Sequence, residues 1–181
     1  MMNESIRLKL KEVWSLRGQG RYEAAGRLLA ETEKHCAADD HLSLGRIFHI
    51  YMQFECDHKR WKKAMEYSEK SLTYYHQSGN LERVAQSLRH QADILRNLDA
   101  LDRSERLYRR SLDIYRSEFA NRQGDLANAL RGYALLLEAL GKIDVSIGTW
   151  QEVKEIYASV GIAEGVDEAS LKIKTLGTLL K

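Results

Sequence analysis

A block of 17 residues occurs four times in this chain, and that repetition restricts the fold more than any other property of the sequence. The copies read GRYEAAGRLLAETEKHC from Gly20, KRWKKAMEYSEKSLTYY from Lys59, DALDRSERLYRRSLDIY from Asp99 and GKIDVSIGTWQEVKEIY from Gly141. Their starts lie 39, 40 and 42 residues apart, and three of the four end in tyrosine, at Tyr75, Tyr115 and Tyr157, with Cys36 in that place in the first. A helical period of this length predicts stacked helix pairs, each burying its apolar face against its neighbours, and not a single globular core.

The columns of the block assign it to the second helix of each pair. Its third position is large (Tyr22, Trp61, Leu101, Ile143) and its sixth is small (Ala25, Ala64, Ser104, Ser146). Its tenth holds Leu29, Ser68, Tyr108 and Trp150, and its thirteenth Thr32, Ser71, Ser111 and Val153. Spacings of three and four put these on one helical face, where the small column admits a neighbouring backbone and the large ones fill the space beside it. The first helices repeat too, with columns Phe48, Leu88, Leu130; Val13, Met52, Ala92, Ala134; and Leu16, Leu95, Leu137, where Glu55 stands in the second repeat. Short turns at 18–20, 57–59, 98–100 and 140–142 force antiparallel partners. Gly79-Asn80, Gln123-Gly124 and Gly161 read as stops between repeats.

The expectation is therefore one all-α domain over 1–181, a right-handed α-solenoid of four helix-turn-helix repeats at 3–37, 41–77, 81–118 and 123–159. Within them the helices span 3–17, 21–37, 41–57, 60–77, 81–97, 101–118, 123–140 and 143–159. A ninth helix at 164–180 has no partner, and its stripe of Val166, Ala169, Ile173, Leu176 and Leu180 would cap the last pair. The chain has no proline, where average usage predicts about nine, and this fits a nearly all-helical chain.

Bulk charge excludes little beyond extremes. The net charge of +2 is too balanced to imply a nucleic-acid or membrane partner. The N-terminal MMNESIRLKLKEVW mixes both signs of charge and does not read as a signal peptide. No stretch approaches the length of a membrane span, and two cysteines are too few for a disulfide framework. A cytoplasmic location follows as the expectation.

At its small and large columns the chain resembles the tetratricopeptide repeat (TPR) family, whose pattern of small residue, three spacers and aromatic is met by Ser104–Tyr108 and Ser146–Trp150. Ala25–Leu29 matches less well, and Ala64–Ser68 lacks the large residue. The resemblance covers almost the whole chain. Its repeats of about 40 residues, against the family's usual 34, are similar to the longer-helix subclass of kinesin light chains and of some bacterial regulators. The family's usual proline after the second helix is absent throughout.

Catalytic and metal chemistry find no support in the pattern. The six histidines form no His-x-x-x-His, and the cysteines form no Cys-x-x-Cys. His35-Cys36 and Cys56-Asp57-His58 stand at opposite ends of the third helix, roughly 20 Å apart at 1.5 Å per residue. A buried Cys36 in the tyrosine column is the simpler reading. Neither a phosphate loop nor a nucleophile set can be named, so the chain reads as a non-enzyme without cofactor or metal. Arg103, Arg106, Arg109 and Arg110 are interleaved with Asp102, Glu105 and Asp113, which argues against nucleic acid.

The resemblance implies instead a concave groove lined by the first helices. Carried over through the aligned columns, its positions are Arg7, Leu10, Trp14 and Arg17; Arg46, His49, Gln53, Cys56 and Asp57; Gln86, Arg89, Asp93, Arg96 and Asn97; and Asn128, Arg131, Leu135 and Glu138. The peptide-binding set is Arg46, His49, Gln53, Gln86, Arg89, Asp93, Arg96, Asn128 and Arg131. Six arginines against three acids make the groove basic. The recurring Gln86-x-x-Arg89 and Asn128-x-x-Arg131 suit an extended acidic peptide, amides holding its backbone and guanidiniums its carboxylates. Packed helices about 10 Å apart correspond to about three extended residues, so acids should recur about every third position. The family's clamp for chaperone C-termini uses a lysine and an asparagine where this chain has Leu10 and Trp14, which implies that this specialised role is absent. The expected function is a scaffold or adaptor for an acidic protein or peptide. Alternatives are a structural protein that dimerises through its last helix, where Leu171 and Leu179 lie off the stripe, and a regulatory module sensing a peptide or small ligand.

Overall fold

Amphipathic segments free of proline fold as helices, parted by turns of three or four residues except for the six residues 35–40 between the second and third. The computed structural model describes residues 4–180. Among them are nine helices and no strand: α1 Glu4–Gly18, α2 Tyr22–Lys34, α3 His41–Asp57, α4 Trp61–Gln77, α5 Leu81–Asn97, α6 Leu101–Glu118, α7 Gln123–Ala139, α8 Ile143–Ser159 and α9 Ala163–Gly177. The predicted start of the first helix at residue 3 lies outside the described residues.

Two helices end three residues earlier than their patterns predict. α2 stops at Lys34, not at 37, because the chain must turn so that Asp40 can cap α3. The Asp40 carboxylate accepts from the Ser43 backbone N–H at 3.0 Å and from the Ser43 hydroxyl at 2.6 Å. Cys36 is thereby only half-buried beside the core, not enclosed as its column suggests, and burial pushes its thiol up to about 11. α9 stops at Gly177, so Leu180 is exposed rather than part of the capping stripe. Gly124 is not a stop: it lies in the first turn of α7.

The turn inside each pair repeats in atomic detail. The first residue of every block takes the left-handed conformation, at φ 73° for Gly20, 56° for Lys59, 59° for Asp99 and 69° for Gly141. The next backbone N–H then reaches the carbonyl of the third first-helix column: Arg21 to Leu16, Arg60 to Glu55, Ala100 to Leu95 and Lys142 to Leu137, each at 2.9 Å. This bond closes the helix end in a Schellman-type cap.

The block columns pack as their spacing predicts. All twelve residues of the small, tenth and thirteenth columns are buried. Two small-column serines donate to the first helix of their own pair, Ser104 Oγ to Ala92 O at 2.8 Å and Ser146 Oγ to Ala134 O at 3.0 Å. Ser71 Oγ donates to Gly45 O at 2.8 Å. Such bonds let a buried hydroxyl sit against backbone without loss. Glu55, in a column otherwise leucine, is buried but held by Arg60 and, at 3.7 Å, by Lys63.

The chain forms two compact units, one ending at Ser87 and the other beginning at Leu88, within α5. In the first, Ile6, Leu10, Val13, Ala25, Leu29, Ile47, Ile50 and Phe54 build one core cluster. In the second, Ala92, Tyr108 and Leu136 form a cluster flanked by Leu101, Leu107, Tyr133 and Leu140. The α9 stripe buries Ala169 and Leu176, with Val166 and Ile173 half-buried.

Candidate functional site

Within the first unit, α1 contributes less to a binding face than its columns suggest. Leu10 is buried in the core, because it falls one turn before Val13 on the same stripe. Arg7 is paired with Glu4 through its Nε at 2.8 Å. Arg17 is spent across to α3: its Nε and Nη2 meet the two oxygens of Asp57 at 2.7 and 2.6 Å. Its guanidinium also lies 4.9 Å from the Trp14 ring centroid, and Tyr22 OH donates to the same carboxylate at 3.1 Å. Arg17 holds the Asp57 carboxyl below the usual carboxylate range, against the opposing effect of burial.

On α3, His49 is buried with the Trp14 ring 6.4 Å away, and Gln53 is half-buried. Arg46 differs from the other groove arginines. It is half-buried, and no carboxylate pairs with it among the described residues. Burial lowers its pKa, and the neighbouring Arg83 charge lowers it further. Arg83 stands in the first turn of α5, where its backbone N–H meets the Asn80 side chain at 3.0 Å and its Nη1 donates to Gln86 Oε1 at 2.7 Å. Sequence columns missed Arg83. The available signal is its position one turn before Gln86 on the same helix.

The second unit carries the rest of the predicted set. Arg89 and Arg96 share one acid, with Asp93 oxygens at 3.6 Å from Arg89 and 3.9 Å from Arg96. Tyr108 OH also donates to Asp93. Burial first, and then the Asp93 charge, raises the Tyr108 phenol well above its ordinary range. Asn128 accepts from Tyr157 OH at 2.8 Å. Arg131 meets both oxygens of Glu168 on α9, each at 2.6 Å. Two turns further along α7 and one along α9, Lys172 Nζ lies 2.7 Å from Glu138 Oε2, and Trp150 Nε1 donates to Glu138 Oε1 at 2.8 Å. Two opposite ion pairs thus clamp α9 onto α7.

A shallow cavity of about 500 Å³ along α4, lined by Glu66, Glu69, Lys70, Thr73, Tyr74 and Gln77, includes none of these arginines. Among the described residues no group of three or more His, Cys, Asp and Glu could hold a metal, and no helix is long and apolar enough to cross a membrane.

No protein-family model matches the chain, and no curated protein matches it. Solved structures do. BtubC (BKLC) from P. vanneervenii superposes with a TM-score of 0.66 at 16% identity, covering 93% of this chain and 78% of that one. A Podosopora anserina chain of nearly identical kinesin light chain TPR-like repeats gives a TM-score of 0.57 at 15% identity, covering 99% of both. A variant of that chain with one substituted residue gives 0.56 at 16% identity, covering 97% of both. At these identities the likeness concerns the fold: the chain is an all-helical repeat protein with the architecture of TPR-like repeats.

Proposed function

We propose that this protein is a non-catalytic interaction module that holds an acidic segment of a partner protein against the first helices of its repeats. The observation that supports this reading is the pairing of Arg131 with Glu168. A groove arginine on α7 takes a carboxylate presented by the neighbouring α9, through two N–H···O bonds of 2.6 Å. The same recognition is available to a partner wherever a first-helix arginine lacks an internal acid.

A peptide array tests the reading. Segments with acids about every third residue should bind the full chain, their reversed-charge counterparts should not, and binding should weaken as salt rises. Binders without acids, or affinities indifferent to salt, would reject it. Reversing Arg131 is not a suitable probe, since it would place two carboxylates together at the α7–α9 contact.

A second reading, self-association through α9, is favoured by Leu171 and Leu179, which are 65% and 66% exposed on that helix and its end. Light scattering at micromolar concentration that returns the single-chain mass of 20.8 kDa would reject it.

A further inference from the structure

One side of α9 is buried and the other is fully open. Gly165, Ala169 and Leu176 form the buried side. Glu164, Asp167, Leu171, Lys174, Thr175 and Thr178 are all exposed, and their spacings of three and four place them together on the opposite side. Leu171, 65% exposed, stands near the middle of this row.

The charges around Leu171 are ordered by sign. Glu164 and Asp167 precede it, and Lys174 follows it. Two other charged residues of the helix are taken up by α7, Glu168 by Arg131 and Lys172 by Glu138. Asp167 and Lys174 pair with no described residue: the helix separates them by two turns, and Leu171 lies between them. An acidic half, a central leucine and a basic residue make a surface that is complementary to its own reversal. An isologous contact requires this, because the same patch must serve both sides.

The geometry selects the direction. A two-fold axis through Leu171, perpendicular to the helix, runs a second α9 antiparallel to the first and sets Leu171 on Leu171 of the second copy. Asp167 and Lys174 are seven residues apart and therefore lie within about 20° of one line along the helix. The axis keeps that line on its own side of the contact, so Asp167 of each copy meets Lys174 of the other. Glu164 comes level with Thr178 and meets no acid. A parallel pairing instead sets Glu164, Asp167 and Lys174 each against its own like charge, which repulsion disfavours.

We infer that the open side of α9 docks a second copy of this chain, antiparallel, centred on Leu171 and held by two Asp167–Lys174 ion pairs. The inference rests on the self-association reading above and adds to it the register and the charges that select it.

Charge reversal in the full chain, read by sedimentation equilibrium across the micromolar range, tests the two separately. The wild-type chain should dimerise. Asp167→Lys alone sets lysine against lysine, and Lys174→Asp alone sets acid against acid. Each should weaken self-association about tenfold or more. Mixed in equal amounts, the two variants should form a mixed dimer at least as readily as the wild type, because each copy then faces only opposite charge. That rescue also shows that both variants are folded. A wild-type dimer indifferent to both reversals overturns the register and leaves self-association standing, as does a mixture no more associated than its components. A wild-type assembly larger than a dimer overturns the two-fold contact. A wild-type chain that stays monomeric throughout overturns both readings.

Discussion

The ring of Tyr75 occupies the space that a side chain at Gly45 would need: a Cβ placed there would meet Cδ1 and Cε1 at 2.6 Å. The contact recurs with other partners, as Tyr108 on Gly132 and Tyr157 on Gly165, where a Cβ would meet ring atoms at 2.7 Å or less. Tyr75 thus packs on the first helix of its own pair, while Tyr157 packs on the helix that follows. Each is a helix-to-helix approach closer than any residue but glycine permits.

Gly45→Ala and Gly132→Ala should therefore destabilise the protein despite alanine's better helix propensity. The gain in propensity is about 1 kcal/mol. Both tyrosines are almost fully buried and cannot swing away, and overpacking of this kind costs about 1–3 kcal/mol. Urea midpoints should fall. Gly26→Ala, on a helical glycine with nothing within 4 Å of its added Cβ, should raise the midpoint.

Lys59→Gly and Asp99→Gly should each raise stability. Both residues hold the left-handed turn that glycine holds in the other two pairs. Relief of roughly 1–2 kcal/mol of backbone strain is partly offset by the greater freedom of glycine in the unfolded chain, leaving about 0.5–1 kcal/mol. The mirror experiment, Gly20→Ala and Gly141→Ala, should lower stability. Chemical denaturation of the four variants checks the sign in each.

Ser68→Ala should be neutral or stabilising, because the Ser68 hydroxyl is buried without a hydrogen-bond partner. Ser104→Ala and Ser146→Ala should each cost about 1 kcal/mol, since each loses a bond to a first-helix carbonyl. Equal effects at all three serines in thermal denaturation would contradict the hydrogen-bond account.

Acid should destabilise the fold through its paired carboxylates. Hydrogen bonds from Arg131 lower the Glu168 pKa, and those from Arg109 and Lys142 lower that of Glu105. For Glu55, burial works in the opposite direction but is outweighed by Arg60 and Lys63. A depressed folded pKa contributes stability that is present above the unfolded value, near 4.3 for glutamate, and is lost as pH falls through the folded value. The melting temperature should fall below about pH 4. Glu168→Gln should flatten part of that acid limb, with a modest amplitude because the pair is partly exposed.

Repetition, column spacing and the missing prolines determined the helices and the paired architecture. Bounds at α3, α5, α6 and α8 coincide with the patterns, because an apolar stripe of period 3.6 and a short turn act over a few neighbouring residues. The candidate site was only partly legible. Columns place Arg46, Arg89 and Arg131 at equivalent or neighbouring groove positions, yet tertiary structure separates them by partner: Asp93 for Arg89, Glu168 for Arg131, and, among the described residues, no acid for Arg46. Glu168 lies 37 residues beyond Arg131, on a helix that Tyr157 packs against at Gly165. A repeat pattern specifies which face a side chain occupies, but the charge on that face depends on which distant side chains the packing brings within a few ångströms.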